Sequence, residues 1–266
     1  MNKLLNVLLF VAALAPLARA EVKTKVIEYK QGDVVLEGFL AWDDALATPA
    51  KKQPGVVVCP EWWGNNEYSR GRAKKLAELG YVAFAIDMYG KGKLTDDPKQ
   101  ATAWSGEVYG APKTLRERAA AGLATLVAQP QVDASRVAAI GYCMGGTVAL
   151  ELARSGADLR SVVTFHAGKL AALDDPASNS KIKATVTICH GDADGFVSPE
   201  EIAKFRDEMK AAKVDYEFLA YAGAVHSFTN PDCGKYGIPG IAYQAKADAR
   251  SWEHMKAAFN EAFARK

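Results

Sequence analysis

Val22 to Tyr29 and Val34 to Trp42 alternate apolar with polar residues, and Gln31-Gly32-Asp33 lies between them. That pattern predicts an opening hairpin with one buried face. Further on the period changes. Gly55 to Cys59 is a short, continuous apolar run, as are Tyr81 to Ile86, Leu159 to Phe165 and Ala184 to His190. Such runs read as strands buried on both faces. Arg136 to Tyr142 and Asp215 to Tyr221 complete the strand set. Helical patterns fall between them, at 68–79, 113–128, 144–155, 199–212 and 242–263, with Gly80 and Gly156 as stops. The stretch 87–112 reads as loop, with a short helix around 99–104. Strands alternating with helices imply a mostly parallel sheet covered on both faces, with the hairpin as an antiparallel edge. No linker interrupts the series, so residues 21–266 read as a single α/β domain. Ligands in such sheets sit beyond the carboxyl ends of the strands, and functional residues should follow the strands directly.

The first twenty residues stand outside this pattern. Lys3 begins them, an apolar stretch runs from Leu4 to Leu17, and Ala18-Arg19-Ala20 offers a small-x-small cleavage site. This reads as a secretory signal peptide, cleaved before Glu21. A membrane-spanning helix needs roughly 20 apolar residues, and this stretch is shorter. The mature chain is therefore expected in the periplasm or secreted, free of the membrane. Of the 33 basic residues, the peptide carries Lys3 and Arg19, and it carries no acid; 31 basic residues then face 31 acidic ones. A formally neutral chain without a basic stripe gives no footing for nucleic acid. Oligomeric state is not legible. The four cysteines, Cys59, Cys143, Cys189 and Cys233, fit no zinc spacing. Cys59 and Cys189 are expected three strands apart, about 14 Å, beyond the ~7 Å reach of a disulfide.

Gly141-Tyr142-Cys143-Met144-Gly145-Gly146 lies where a buried strand runs straight into a helix. This is a nucleophile elbow with cysteine in place of serine. The helix N-terminus favours a thiolate there, and the Met144 amide is placed to donate to an oxyanion. Among the four histidines, His226 follows the last strand and fits the chain order nucleophile, acid, histidine. His166 follows a strand and could line the pocket, but it precedes the acid loop. His190 and His254 read as structural. In Gly191-Asp192-Ala193-Asp194-Gly195-Phe196-Val197 the Gly-x-x-Asp-x-x-Val spacing selects Asp194 as the acid, leaving Asp192 to the turn.

These segments, together with Cys59-Pro60-Glu61-Trp62-Trp63-Gly64, Asp87-Met88-Tyr89 and His226-Ser227-Phe228, make the chain resemble the dienelactone hydrolase family from about residue 25 to 260. The resemblance implies an α/β-hydrolase fold, and a carboxylic ester or lactone hydrolase working through a thioester on Cys143, with no metal or organic cofactor. It implies that Glu61 contacts the resting thiol and that the Trp62 amide is the second oxyanion donor. It also implies where a substrate carboxylate would bind. The family holds that group with two arginines, and their positions here are Lys91 and Asn230, so the clamp is weakened. Trp62, Trp63 and Tyr89 would supply apolar walls. The competing readings are a non-catalytic binding protein on the same fold, and a thioesterase or peptidase using the same triad.

Overall fold

The opening alternation becomes a hairpin of β1 (Val22–Gln31) and β2 (Val34–Asp43), turning at Gly32 with φ 56°. The structure is a computed structural model that describes residues 21–265; the expected signal peptide lies outside the described residues. The apolar runs form β3 (Gln53–Cys59), β4 (Val82–Ala85), β5 (Val132–Tyr142), β6 (Ser161–Phe165), β7 (Thr185–Gly191) and β8 (Tyr216–Tyr221). All eight strands join one sheet, in the order β1-β2-β4-β3-β5-β6-β7-β8. β2 pairs antiparallel with β1 and β4, and every pairing from β4 through β8 is parallel. β3 and β7 are separated by β5 and β6, so Cys59 and Cys189 lie three strands apart, and all four thiols are free.

Because side chains alternate along each strand, the sheet divides the core in two. Val57 and Cys59 of β3 and Val137 and Ala139 of β5 face one side. There α3 (Pro112–Val127), α4 (Met144–Arg154) and α5 (Pro199–Ala211) cover them with Leu115, Val148 and Phe205. Val56 and Val58 of β3 and Ala138, Ile140 and Tyr142 of β5 face the other side. α1 (Glu67–Glu78) and α6 (Ala245–Ala264) close it with Leu76, Met255 and Phe259.

The loop expected at 87–112 is in part a full helix, α2 (Pro98–Gly110). It starts on strong local chemistry: the Asp97 side chain accepts from the Lys99 amide and Pro98 occupies the first turn. Its periodic signal is faint because it buries only Ala101, Ser105 and Val108. Small residues at helical spacing carry little hydrophobic contrast, so the pattern showed only 99–104 of a thirteen-residue helix.

The close meeting of β3, β5 and α4 positions everything at the carboxyl end of the sheet. A Cβ added at Gly141 would lie 1.9 Å from the Gly145 carbonyl oxygen, and one at Gly145 would lie 2.1 Å from that of Cys59. The helix starting there is buried along all eleven residues. It is tied down at its far end, where the Arg154 guanidinium donates to Glu151 at 2.9 Å, to Asn179 at 2.8 Å and to the Leu170 carbonyl at 2.6 Å. Arg116 of α3 binds the other oxygen of Glu151.

Gly145→Ala forces backbone against backbone, which no rotamer change relieves. We expect a loss of stability at or beyond the upper end of the usual overpacking range of about 1–3 kcal/mol. A urea unfolding midpoint equal to that of the parent would contradict this.

Candidate active site

β5 ends at Tyr142, α4 starts at Met144, and Cys143 makes the whole turn between them at φ 54°, ψ −120°. A non-glycine residue avoids that backbone region, and here flanking contacts hold it. The Cys143 amide donates to the Phe165 carbonyl at 3.1 Å, and the Cys143 carbonyl accepts from Gly146 at 3.0 Å and Gly168 at 2.9 Å. The Met144 amide, first in the helix, has no intrahelical acceptor. The helix dipole adds partial positive charge at the same point.

His226 and Asp194 come together as the sequence implied. The His226 Nδ1 lies 2.8 Å from Asp194 Oδ2, with both side chains almost wholly buried. The other carboxylate oxygen accepts from the Phe196 amide at 2.9 Å. This leaves the His226 Nε2 free to face the sulfur. Burial works against a charged ring, but negative charge on Cys143 and the bond to Asp194 outweigh it, and the His226 pKa rises to about 10. His166 has the opposite fate. Its ring centroid lies 5.2 Å from that of His226, edge to face. Burial, then the His226 and Arg72 charges, hold it well below the ordinary histidine value. Asp192, expected to brace the turn with its side chain, is exposed and contributes its backbone, donating to the Tyr221 carbonyl at 3.0 Å.

Glu61 is buried behind the histidine loop, where burial raises its pKa. Among the described residues its side-chain hydrogen bonds come from Asn230 Nδ2 at 2.8 Å and Ser227 Oγ at 3.4 Å, and none comes from Cys143. Asn230 therefore turns one of its amide hydrogens inward to Glu61. Its oxygen accepts from the Asp232 amide at 3.0 Å. Lys91 likewise has partners of its own: it pairs with Glu28 of β1 and donates its amide to the Val35 carbonyl of β2. Two further arginines are also engaged: Arg70 binds Asn65 and Glu37, and Arg116 binds Glu151 and Asp174.

The aromatic walls are partly as expected. Tyr89 is buried, its hydroxyl donating to the Trp62 carbonyl at 2.9 Å and lying 3.3 Å from the Met144 sulfur. Burial and the nearby Cys143 charge push its pKa up. It thereby braces the segment carrying the Trp62 amide. Trp63 is buried, its ring 4.9 Å from that of Trp62 and stacked on Tyr236 at 3.8 Å, and it borders a cleft of about 340 Å³ that Tyr68, Arg70, Leu94 and Asn230 also line. Two aromatic residues escaped the sequence reading. Tyr109, near the end of α2, has its pKa raised by burial and then by the charge of Cys143, and its hydroxyl closes on Gly168. The Asp97-Pro98 start signal of α2 was the clue to it. Phe196 is 51% exposed with its ring 4.9 Å from that of His226, and nothing in an isolated loop phenylalanine marks it.

A buried strand–turn–helix elbow bearing cysteine, with a histidine–aspartate pair on the loops that follow, defines an α/β-hydrolase. Residues 43–263 match the dienelactone hydrolase family, and the chain belongs to it. A solved dienelactone hydrolase-like promiscuous phosphotriesterase from metagenomic libraries is 41% identical, with a TM-score of 0.86 over 90% of this chain and 98% of that one. The structure titled m3DLH is 44% identical, with a TM-score of 0.86 over 91% of this chain and 98% of its own. An Escherichia coli protein named as a candidate carboxymethylenebutenolidase is 25% identical over 264 residues, 92% of each chain. The protein is thus a hydrolase of the ester- and lactone-cleaving class. Among the described residues no helix is long and apolar enough to cross a membrane.

The charge on Cys143 is the largest influence raising the His226 pKa. Cys143→Ala should therefore make His226 titrate at lower pH than about 10. Histidine ring NMR on both proteins measures this, and an unchanged His226 titration would show that the sulfur and the ring do not interact.

Proposed function

We propose that this protein hydrolyses neutral carboxylic esters and lactones by covalent catalysis on Cys143, with His226 and Asp194 completing the triad. The observation that carries this reading is the buried His226–Asp194 pair, 2.8 Å apart, set beside a cysteine held in the elbow geometry. The Cys143 thiolate attacks the carbonyl carbon, and the resulting oxyanion is met by the Met144 and Trp62 amides. Collapse expels the alkoxide, which takes the proton from His226, leaving a thioester. His226 then removes a proton from water, the hydroxide adds to the thioester, and the thiolate departs as the acid is released. Asp194 holds the ring in the required tautomer and stabilises its charged form. Glu61, held by Asn230 and Ser227, is an internal carboxyl that must leave those partners before it reaches the thiol.

The reading of substrate class follows from the fates of the groups that could bind a carboxylate. Lys91, Asn230, Arg70 and Arg116 all have partners of their own, while Tyr89 and Tyr109 lie near the sulfur and the Phe196 ring lies 4.9 Å from the imidazole. A charge-assisted hydrogen bond is worth about 1.5–3 kcal/mol, so a substrate carboxylate forgoes roughly 10- to 150-fold in affinity relative to a clamped one. Export is supported by the Ala18-Arg19-Ala20 sequence and by β1 beginning at Val22, one residue past the expected cut.

Two measurements test this. In a panel holding a neutral ester, a carboxylated dienelactone of similar size and a phosphotriester, kcat/KM should favour the neutral ester, and Cys143→Ala should abolish hydrolysis. Near-normal turnover by Cys143→Ala would falsify the triad. A tenfold or greater preference for the dienelactone would overturn the substrate reading and point to Lys169, whose Nζ lies 5.8 Å above the Tyr109 ring, as the clamp. N-terminal sequencing of the exported protein should begin at Glu21; an intact Met1 would refute cleavage.

A further inference from the structure

His166 is the one strongly placed polar group beside Cys143 that the mechanism above does not use. It follows β6, is fully buried, and holds a left-handed backbone at φ 41°. An L residue that is neither glycine nor asparagine adopts that conformation at a cost. The main chain keeps it there, since its own amide donates to the Cys189 carbonyl at 2.8 Å. The side chain then lies in a line of hydrogen bonds. The Cys143 amide, which donates to the Phe165 carbonyl at 3.1 Å, shares its hydrogen with His166 Nδ1 at 3.2 Å. An N–H can point only at an unprotonated nitrogen, so the proton sits on Nε2. That Nε2 lies 2.7 Å from Thr229 Oγ1, which lies 2.6 Å from the Tyr68 hydroxyl. Thr229 belongs to the loop that carries His226, three residues earlier, and its carbonyl accepts from the buried Arg72.

Resting on the Cys143 mechanism, we propose that His166 is a positioning residue that couples the nucleophile to its base. Its Nδ1 accepts the amide of Cys143 and its Nε2 grips the His226 loop through Thr229. The ring is a strut of fixed tautomer between two segments that each contain a strained residue, Cys143 at φ 54° and Ser227 at φ 58°. No other side chain accepts a hydrogen bond from the Cys143 amide among the described residues. Protonation of Nδ1 would set a proton against that amide and a charge beside the His226 ring. The burial that keeps His166 neutral therefore serves the same arrangement.

His166→Leu removes both ends of the strut. It should lower kcat about 100-fold, the scale of an ångström-sized misplacement of a reacting group, with KM little changed. Alkylation of Cys143 by iodoacetamide should slow in parallel. His166→Asn restores an acceptor near the Nδ1 position and tolerates the left-handed backbone, so it should recover a large part of the kcat loss. Thr229→Val keeps the ring but frees its Nε2, and should lower kcat by a smaller factor with the melting temperature measured alongside. A folded His166→Leu protein with kcat within about threefold of the parent overturns the proposal, a factor too small for a lost transition-state contact. If that variant does not fold, parent-level kcat in both His166→Asn and Thr229→Val overturns it equally. Cys143→Ala runs in the same assay. Turnover by that variant defeats the triad reading itself, whereas a dead Cys143→Ala beside fully active His166 variants defeats only the strut.

Discussion

The meeting of three backbones at the elbow is the constraint on which the rest of this structure depends. β3, β5 and the start of α4 approach so closely that Gly141 and Gly145 have no room for a single added carbon. That approach turns the chain through one residue, forces Cys143 into the left-handed region, and aims the first helical amides at the space above the sulfur. Interiors pack at crystal-like density and relax little, so the geometry cannot spread its strain over neighbouring residues. The demand falls on the flanking glycines. The side chain of Cys143 itself is partly buried, packed against the core on one side and open to chemistry on the other.

Electrostatic differentiation is built on that frame. Two imidazoles 5.2 Å apart are driven in opposite directions by what surrounds them. His226 has Asp194 on one nitrogen and Cys143 before the other, and its proton is retained. His166 has an amide on one nitrogen and a hydroxyl on the other, with Arg72 nearby, and stays neutral. Pairs of titratable groups whose environments push them apart are how one site separates a proton-carrying role from a structural one.

The elements with strong hydrophobic contrast were legible in the sequence. The buried strands, the hairpin, the elbow and the paired His226 and Asp194 fall where their patterns place them. Legibility failed where function depends on contrast too weak to see or on partners too distant to count. α2 buries alanine and serine, so its length and with it Tyr109 were lost. Lys91 and Asn230 occupy the right distances along the chain from their motifs. Lys91 nonetheless faces Glu28 across the hairpin, and Asn230 turns inward to Glu61. Spacing along a chain fixes a backbone position, and the direction of a side chain is decided by whichever opposite charge or buried acceptor the fold brings near. Trp63 shows the same limit, since its stacking partner Tyr236 lies far down the chain.

The buried ions at the far end of α4 have a bearing on how the site works over time. Arg154, Glu151 and Arg116 hold that end of the helix as firmly as the glycine contacts hold its beginning. A helix fixed at both ends and buried along its length has no hinge, so the elbow does not assemble around an arriving substrate. On the mechanism proposed above, the amides that would face the oxyanion are set in place once, during folding, and not in each turnover. Motion at this site is then left to side chains, to the internal Glu61 carboxyl and, at the mouth, to the exposed ring of Phe196 against His226. Rotamer changes of exposed rings are fast, in the picosecond to nanosecond range, so this ring adds no slow step to the approach of a substrate.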